Sequence, residues 1–269
     1  MAEFIPPPRV NALGVGISIL NLTSVIEVLD SALKSGTRGY VTVTGVHGVM
    51  ESQDDPALRK IHNQSLLSTP DGMPMVWLGK WAGHRSMSRV YGPDLMEAVF
   101  EWSARTGRSH YFFGGNPGVV EELKSRMETR YPGLRIVGIY TPPFRPLNEA
   151  EHANLVASVR DAAPDFLWVG LSTPKQERFM AAEIDQLDAK ILIGVGAAFD
   201  FHAGRVSQAP RWIQRSGFEW LYRLCREPRR LWRRYFRNNP RFLWRIAGQL
   251  TGLRTVPDPA HDRTANGSN

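Results

Sequence analysis

Short β-rich apolar runs alternate with helical stretches from about residue 13 to residue 195, and this alternation constrains the fold more than any other feature. Strands are expected at 13–20, 40–46, 110–113, 135–139, 166–169 and 191–195, and helices at 24–33, 56–66, 93–104, 119–130, 149–162 and 175–188. Strands separated by helices pair in parallel through crossover connections. The pattern therefore predicts an α/β domain, a parallel sheet with helices on both faces. The run 191–195 is apolar throughout, as a strand covered on both sides should be.

The pattern changes near Gly204. Beyond it Trp212, Trp220, Tyr222, Trp232, Tyr235, Phe236, Phe242 and Trp244 interleave with arginines. Between Arg211 and Arg245 there are eleven Arg, no Lys, two Glu and no Asp, a net of +9. The whole chain carries +7, so the remainder is at −2 and the basic character is local. Pro228 and Pro240 are expected to divide this region into short helices. The expected organisation is an α/β domain over 1–205, an Arg/aromatic helical appendage over 206–250 and a polar, disordered tail over 251–269.

Other features exclude function classes. Cys225 is the single cysteine, so no intrachain disulfide forms, which suits a reducing compartment. The seven histidines form no His-x-x-x-His pair, and no metal site is expected. The apolar run 10–20 holds Asn11 and Ser18 and lacks a basic leader and an Ala-x-Ala site, so it is expected as a strand rather than a signal peptide. No run approaches the roughly 20 apolar residues of a spanning helix.

In a parallel sheet, ligands bind outside the carboxyl ends of the strands. Those ends read His47-Gly48, Gly114-Gly115-Asn116-Pro117-Gly118, Gly170-Leu171-Ser172-Thr173-Pro174-Lys175-Gln176-Glu177 and Gly196-Ala197-Ala198-Phe199-Asp200. Each is a tight turn that needs glycine anyway; together they suit a nucleotide diphosphate held by backbone N–H groups. Gly14-Val15-Gly16 and Gly194-Val195-Gly196 lack the third glycine of a dinucleotide fingerprint, and there is no Gly-Lys-Ser/Thr phosphate loop. No Asp-x-Asp pair is present to hold Mg²⁺ or Mn²⁺ against a diphosphate, so Arg, Lys and backbone dipoles would have to neutralise it. The turn Ser68-Thr69-Pro70-Asp71-Gly72-Met73-Pro74 sets a carboxylate before a helical stretch at 75–81. Asp71 there serves equally well as a helix cap or as a general base on a rigid turn.

These segments occur in a specific order. Thr69-Pro70-Asp71-Gly72 is followed by Arg89-Val90-Tyr91-Gly92-Pro93-Asp94-Leu95, Phe113-Gly114-Gly115, Tyr131-Pro132-Gly133-Leu134 and Pro174-Lys175-Gln176-Glu177. Then come Gly194-Val195-Gly196-Ala197-Ala198-Phe199-Asp200, Glu219-Trp220-Leu221-Tyr222-Arg223-Leu224 and Glu227-Pro228-Arg229-Arg230. From about residue 13 to residue 245 the chain resembles the WecG/TagA/CpsF glycosyltransferases. The resemblance implies a Rossmann-like fold and inverting, metal-independent transfer of an N-acetylhexosamine or hexose. The implied donor is a UDP-sugar and the acceptor a sugar on undecaprenyl diphosphate, in cell-surface polysaccharide synthesis. No cofactor is implied.

The resemblance assigns the catalytic base to Asp71, puts Arg89 and Gln176 in the active site and sets Asp200 near the nucleotide. Thr44, Gly45, His47, Gly114, Gly115, Gly170 and Lys175 complete the expected substrate-binding set. Two positions depart from the family pattern. Gly45 stands where many members carry Asn, leaving Thr44 or His47 to share that role. Pro142-Pro143-Phe144-Arg145 stands where many carry Gly-Tyr-Phe.

The appendage has the make-up of an interfacial helix, expected on the anionic inner face of the cell membrane. Arg223, Arg230, Arg233 and Arg234 are the candidate ligands for the lipid diphosphate. The expected protein is therefore cytoplasmic and peripheral on the membrane, with a homo-oligomer left open. The rival readings are a helix packed on the core with a solvated Arg face, a non-catalytic sugar-nucleotide-binding relative, and a basic nucleic-acid-binding α/β protein, though nucleic acid is not the expected partner.

Overall fold

The computed structural model describes residues 4–264. The chain opens with β1 (Arg9–Ala12), β2 (Val15–Ser18), α1 (Leu22–Ser35), β3 (Gly39–Thr44), α2 (Val46–Asp54), α3 (Pro56–Gln64), β4 (Leu67–Pro70) and α4 (Met73–Trp81). It continues with α5 (Gly92–Thr106), β5 (Ser109–Gly114), α6 (Val119–Arg130), β6 (Arg135–Tyr140), α7 (Glu149–Ala162), β7 (Phe166–Gly170), α8 (Lys175–Glu183) and β8 (Ile191–Gly194). It closes with α9 (Ala198–His202), α10 (Arg211–Ser216), α11 (Glu219–Arg226), α12 (Pro228–Leu250) and α13 (His261–Thr264).

Two compact units result. The first comprises Leu22–Val43 and Gly92–Ser207 with the described part of the N-terminal arm; the second comprises Pro7–Asn21, Thr44–Tyr91 and the chain from Gln208 onward. The chain passes from the first unit to the second between Ser207 and Gln208. The earlier segments that join the second unit carry no compositional mark.

In the first unit, strands run parallel in the order β3-β8-β7-β5-β6. Their side chains alternate between two helical layers, as the sequence pattern predicts. His110 and Phe112 face the ring of Phe100 on α5 at 5.1 and 5.9 Å, and Phe112 also meets Phe199 on α9. Tyr111 and Phe113 face the other way. The Tyr111 hydroxyl lies 2.9 Å from Ser158 Oγ on α7, and Phe113 stacks on Phe179 of α8 at 4.3 Å. Every residue of β5 and β8 is buried, which explains the unbroken apolar character of β8; β5 also buries the polar Ser109 and His110. The chain steps outward from β5 to β6, then reverses to β7 and on to β8. The reversal therefore falls between β5 and β7, where a sheet of this type receives its ligand.

The second unit is built on a hydrophobic cluster of Val10, Ala12, Leu13, Val15, Ile17, Val49, Met50, Met75, Leu78, Met87, Phe242 and Ile246. The single strand expected at 13–20 is instead an antiparallel hairpin, β1 paired with β2. Leu13 and Gly14 both have positive φ, 56° and 90°, as a two-residue hairpin turn of this hand requires. Asn11 Oδ1 accepts from the Gly14 N–H at 2.7 Å and fixes that turn. The largely apolar run 13–20 hid it.

Three further expectations are corrected here. Residues 68–70, read as the start of a turn, belong with Leu67 to β4, and α2 follows β3 directly. Pro240 does not divide the appendage; α12 runs 23 residues through it. The carbonyl that Pro240 leaves without its helical donor is that of Phe236, a residue 69% exposed. The tail expected to be disordered over 251–269 is tied down as far as the described residues reach. Asn11 Nδ2 donates to the Pro257 carbonyl at 2.8 Å, and Asp262 accepts from Asn63 Nδ2 at 2.7 Å and from Arg59 Nε at 3.3 Å. Residues 265–269 lie outside the described residues.

Candidate active site

Asp71 sits at the end of β4 in a frame of backbone hydrogen bonds. Its N–H donates to the Thr44 carbonyl at 3.0 Å. The Val90 N–H donates to the Pro70 carbonyl at 3.0 Å, and Thr69 Oγ1 donates to the Val90 carbonyl at 3.1 Å. Gly45 gives this frame its room. A Cβ on Gly45 would stand 2.9 Å from the Asp71 carbonyl oxygen and 3.3 Å from Asp71 Oδ2. Asp71 thus presses on the place where a side chain at 45 would begin.

The two residues considered as substitutes for Asn at 45 have other contacts. Thr44 is buried, and its hydroxyl lies 3.2 Å from His62 Nδ1 and accepts from Ser68 Oγ at 2.9 Å. His47 Nδ1 lies 3.2 Å from Asn238 Nδ2 on α12 and 3.6 Å from Glu51.

Arg89 stands two residues before Tyr91, and its guanidinium lies 3.9 Å from the centre of that ring. Nη2 donates to Glu219 Oε2 at 2.5 Å, and Nη1 donates to Gln214 Oε1 at 3.1 Å. Nε is buried without a partner among the described residues. Burial and the charge of Asp71 push the Glu219 carboxyl up, against the opposing pull of Arg89 and Arg223. Burial, aided by Glu219 and Asp71, also raises the Tyr91 phenol above its ordinary value. Asp71, Arg89, Tyr91, Glu219 and Arg223 thus form one electrostatic cluster. Gln214, Glu219 and Tyr91 were missed as site residues. The available signal was that Glu219 is one of only two acids among eleven arginines.

The remaining predicted residues belong to the first unit and gather at the carboxyl ends of β5, β7 and β8. The Gly115 N–H donates to the Gly170 carbonyl at 3.0 Å. Gly114 has φ +123°, and a Cβ there would stand 2.7 Å from the Gly170 carbonyl, so only glycine fits. Lys175 opens α8, with Gln176 and Glu177 buried behind it. Burial pushes the Glu177 carboxyl up, against bonds from the backbone, Thr173 and Gln176. Asp200 lies on α9, and its charge acts on Arg205, whose guanidinium grips Glu122 at 2.7 and 2.9 Å. Arg145, in the segment that departs from the family pattern, donates to both oxygens of Glu151 at 2.7 and 2.8 Å, leaving Phe144 exposed.

The appendage arginines have divided tasks. Arg237 and Arg241 grip Asp54 of α2, and Arg245 donates to Gln53 at 3.0 Å. These hold α12 against α2. Among the candidate lipid ligands, Arg223 faces the Glu219 cluster and Arg230 pairs with Glu227 at 2.6 Å. Arg233 lies over Trp232, and Arg234 over Tyr235. The helix buries Leu231, Asn238, Phe242 and Ile246. At roughly 100° per residue, Trp232, Phe236, Leu243 and Leu250 form a second apolar stripe about a quarter-turn away. All four are exposed, with Phe236 at 69% and Leu243 at 66%. α12 therefore packs on the core as the packed-helix reading held, and still presents an unburied apolar face. No helix among the described residues is long and apolar enough to cross a membrane.

Residues 10–255 match the model of the glycosyl transferase WecG/TagA/CpsF family. Two curated relatives are named N-acetylglucosaminyldiphosphoundecaprenol N-acetyl-beta-D-mannosaminyltransferase. The one from Bacillus spizizenii is 28% identical over 214 residues, covering 79% of this chain and 81% of the relative. The one from Bacillus subtilis is 27% identical over 247 residues, covering 91% and 93%.

Proposed function

The chain belongs to the WecG/TagA/CpsF glycosyl transferase family, and from that premise we propose that it moves an N-acetylhexosamine or hexose from a UDP-sugar to a sugar on undecaprenyl diphosphate. The observation that carries the reading is the carboxylate of Asp71, framed by Thr44 and Val90 and sharing a cluster with Arg89 and Tyr91.

Asp71 takes the proton of the acceptor hydroxyl as its oxygen bonds to the anomeric carbon. The bond from that carbon to the β-phosphate oxygen breaks, and UDP leaves with the electron pair. A single displacement inverts the anomeric centre. Arg89, with its free Nε, stabilises the charge that develops on the diphosphate. In the first unit, the N-termini of α6 and α8, which follow the turns after β5 and β7, offer backbone N–H groups to an anion.

Metal independence rests on the lack of an Asp-x-Asp pair in the sequence. The exposed stripe of α12, with the surrounding arginines, seats the enzyme peripherally on the cytoplasmic face of the membrane. UDP release is the test, run in EDTA with a panel of UDP-sugars and a short-chain polyprenyl-diphosphate-linked N-acetylglucosamine. Acceptor-dependent release from one donor is expected. Absence of UDP binding would overturn the reading.

A further inference from the structure

Gln176 is 3% exposed and Glu177 is fully buried, yet each keeps one oxygen without a partner among the described residues. Both side-chain donors in the cluster converge on the other Glu177 oxygen. Thr173 Oγ1 donates to Glu177 Oε1 at 2.9 Å, and Gln176 Nε2 donates to it at 3.1 Å. This defines the amide's orientation, because a carboxylate oxygen that already accepts from Thr173 offers the amide a place only for its N–H. The amide lies along the end of β8. A Cβ on Gly194 would be 3.2 Å from Gln176 Nε2, and one on Gly196, two residues further on, would be 3.5 Å from Oε1. The carbonyl end therefore points toward the carboxyl edge of the sheet, the ligand side of a parallel α/β unit.

We propose that Glu177 is a positioning residue, which locks the Gln176 side chain so that Oε1 is presented as a hydrogen-bond acceptor to a hydroxyl or N–H of the sugar nucleotide. The inference rests on the sugar-nucleotide reading above. It explains why a carboxylate is retained in a fully buried place: an amide side chain at 177 can present either end and releases the constraint. With its own amide reversed, Gln176 would meet the ligand's donor with a donor of its own.

The experiment measures dissociation constants for UDP and for a UDP-N-acetylhexosamine by calorimetry. It uses the wild-type chain, Glu177→Gln, Gln176→Ala and the exchanged pair Gln176→Glu with Glu177→Gln. Thermal melts check that each variant folds. Glu177→Gln should bind about tenfold more weakly, as should Gln176→Ala. The exchanged pair should return to within about threefold of wild type, since the carboxylate at position 176 then supplies the acceptor and the amide at position 177 the donor that holds it. A loss shared by UDP and the UDP-sugar assigns the donor group to the nucleoside, and a loss confined to the UDP-sugar assigns it to the sugar. Wild-type affinity in a folded Glu177→Gln variant, with Gln176→Ala weakened, overturns the proposal. If the wild-type chain binds neither ligand, the sugar-nucleotide reading fails by itself. The ligand-free orientation is then read from the ¹⁵N-labelled Gln176 side-chain amide. Its resonances should move in Glu177→Gln, and unmoved resonances reject the positioning role.

Discussion

Glu219 Oε2 lies 2.5 Å from Arg89 Nη2, and the side chains of the pair are only 16% and 11% exposed. The partners are 130 positions apart in sequence. The first turn of α11 is thereby fastened to the residue that follows Ser88, and Gln214 adds a second bond from α10. Removing one member of a buried pair leaves the other charged without a counter-ion. Glu219→Ala is expected to cost about 3 kcal/mol of stability, read by urea denaturation. A loss under about 1 kcal/mol would mean that Arg89 is held by Gln214 and Tyr91 alone.

Asp71→Asn keeps the size of the side chain and removes its basicity. Turnover is expected to fall by roughly 10²- to 10⁴-fold, with UDP binding changed by less than about threefold. Single-turnover UDP release and calorimetry separate the two. A variant with near-native turnover would remove Asp71 from the role of base.

Gly45→Asn introduces the residue that the family resemblance implies at this position, but in this chain the new Cβ meets the Asp71 carbonyl. Backbone must shift to accept it. The expected result is a stability loss of about 1–3 kcal/mol and a turnover loss of at least about tenfold through displacement of Asp71. Gain of activity would show that Asp71 has room to retreat.

Stability should fall in mild acid. Burial, with the nearby Arg9 charge, lowers His62 to about 4, and burial lowers His110 to about 3 despite Asp165. Unfolded imidazoles take up a proton near pH 6.5, while the folded ones stay neutral. The unfolded state therefore binds more protons below pH 6.5, and stability drains away as pH falls toward 4. Integrated to below each folded value, the loss is on the order of 3 kcal/mol for His62 and 5 kcal/mol for His110, whose shift is the wider. Unfolding curves at pH 7, 6 and 5 should show the decline, and His62→Gln should make it shallower. A flat profile from pH 7 to 5 would contradict this assignment.

The exposed stripe of α12 gives a separate test of membrane docking. Replacing Trp232, Phe236 and Leu243 with Ser should abolish flotation with vesicles containing anionic lipid and leave the melting temperature within about 3 °C, since these side chains bury little in the fold. Flotation equal to wild type would assign the interaction to the arginines alone.

Much was fixed by the order of residues along the chain. Strand–helix alternation specified the parallel sheet of the first unit, because side-chain period and connection length leave parallel pairing as the workable solution. The motif order marked out the family, since backbone turns that need Gly and Pro leave a local signature. Tertiary structure decided what depends on distant segments meeting. The Leu13-Gly14 turn lay hidden in an apolar run because only pairing across it distinguishes two strands from one. Pro240 stayed inside a helix because α12 is held along its length by Asp54, Gln53 and the core, outweighing one lost hydrogen bond. Glu219 joins the Asp71–Arg89 cluster only because Arg89 is charged and buried beside it. Local propensity sets the elements, but partner choice is set by long-range burial, where an unpaired charge costs several kcal/mol and a sequence window records none of it.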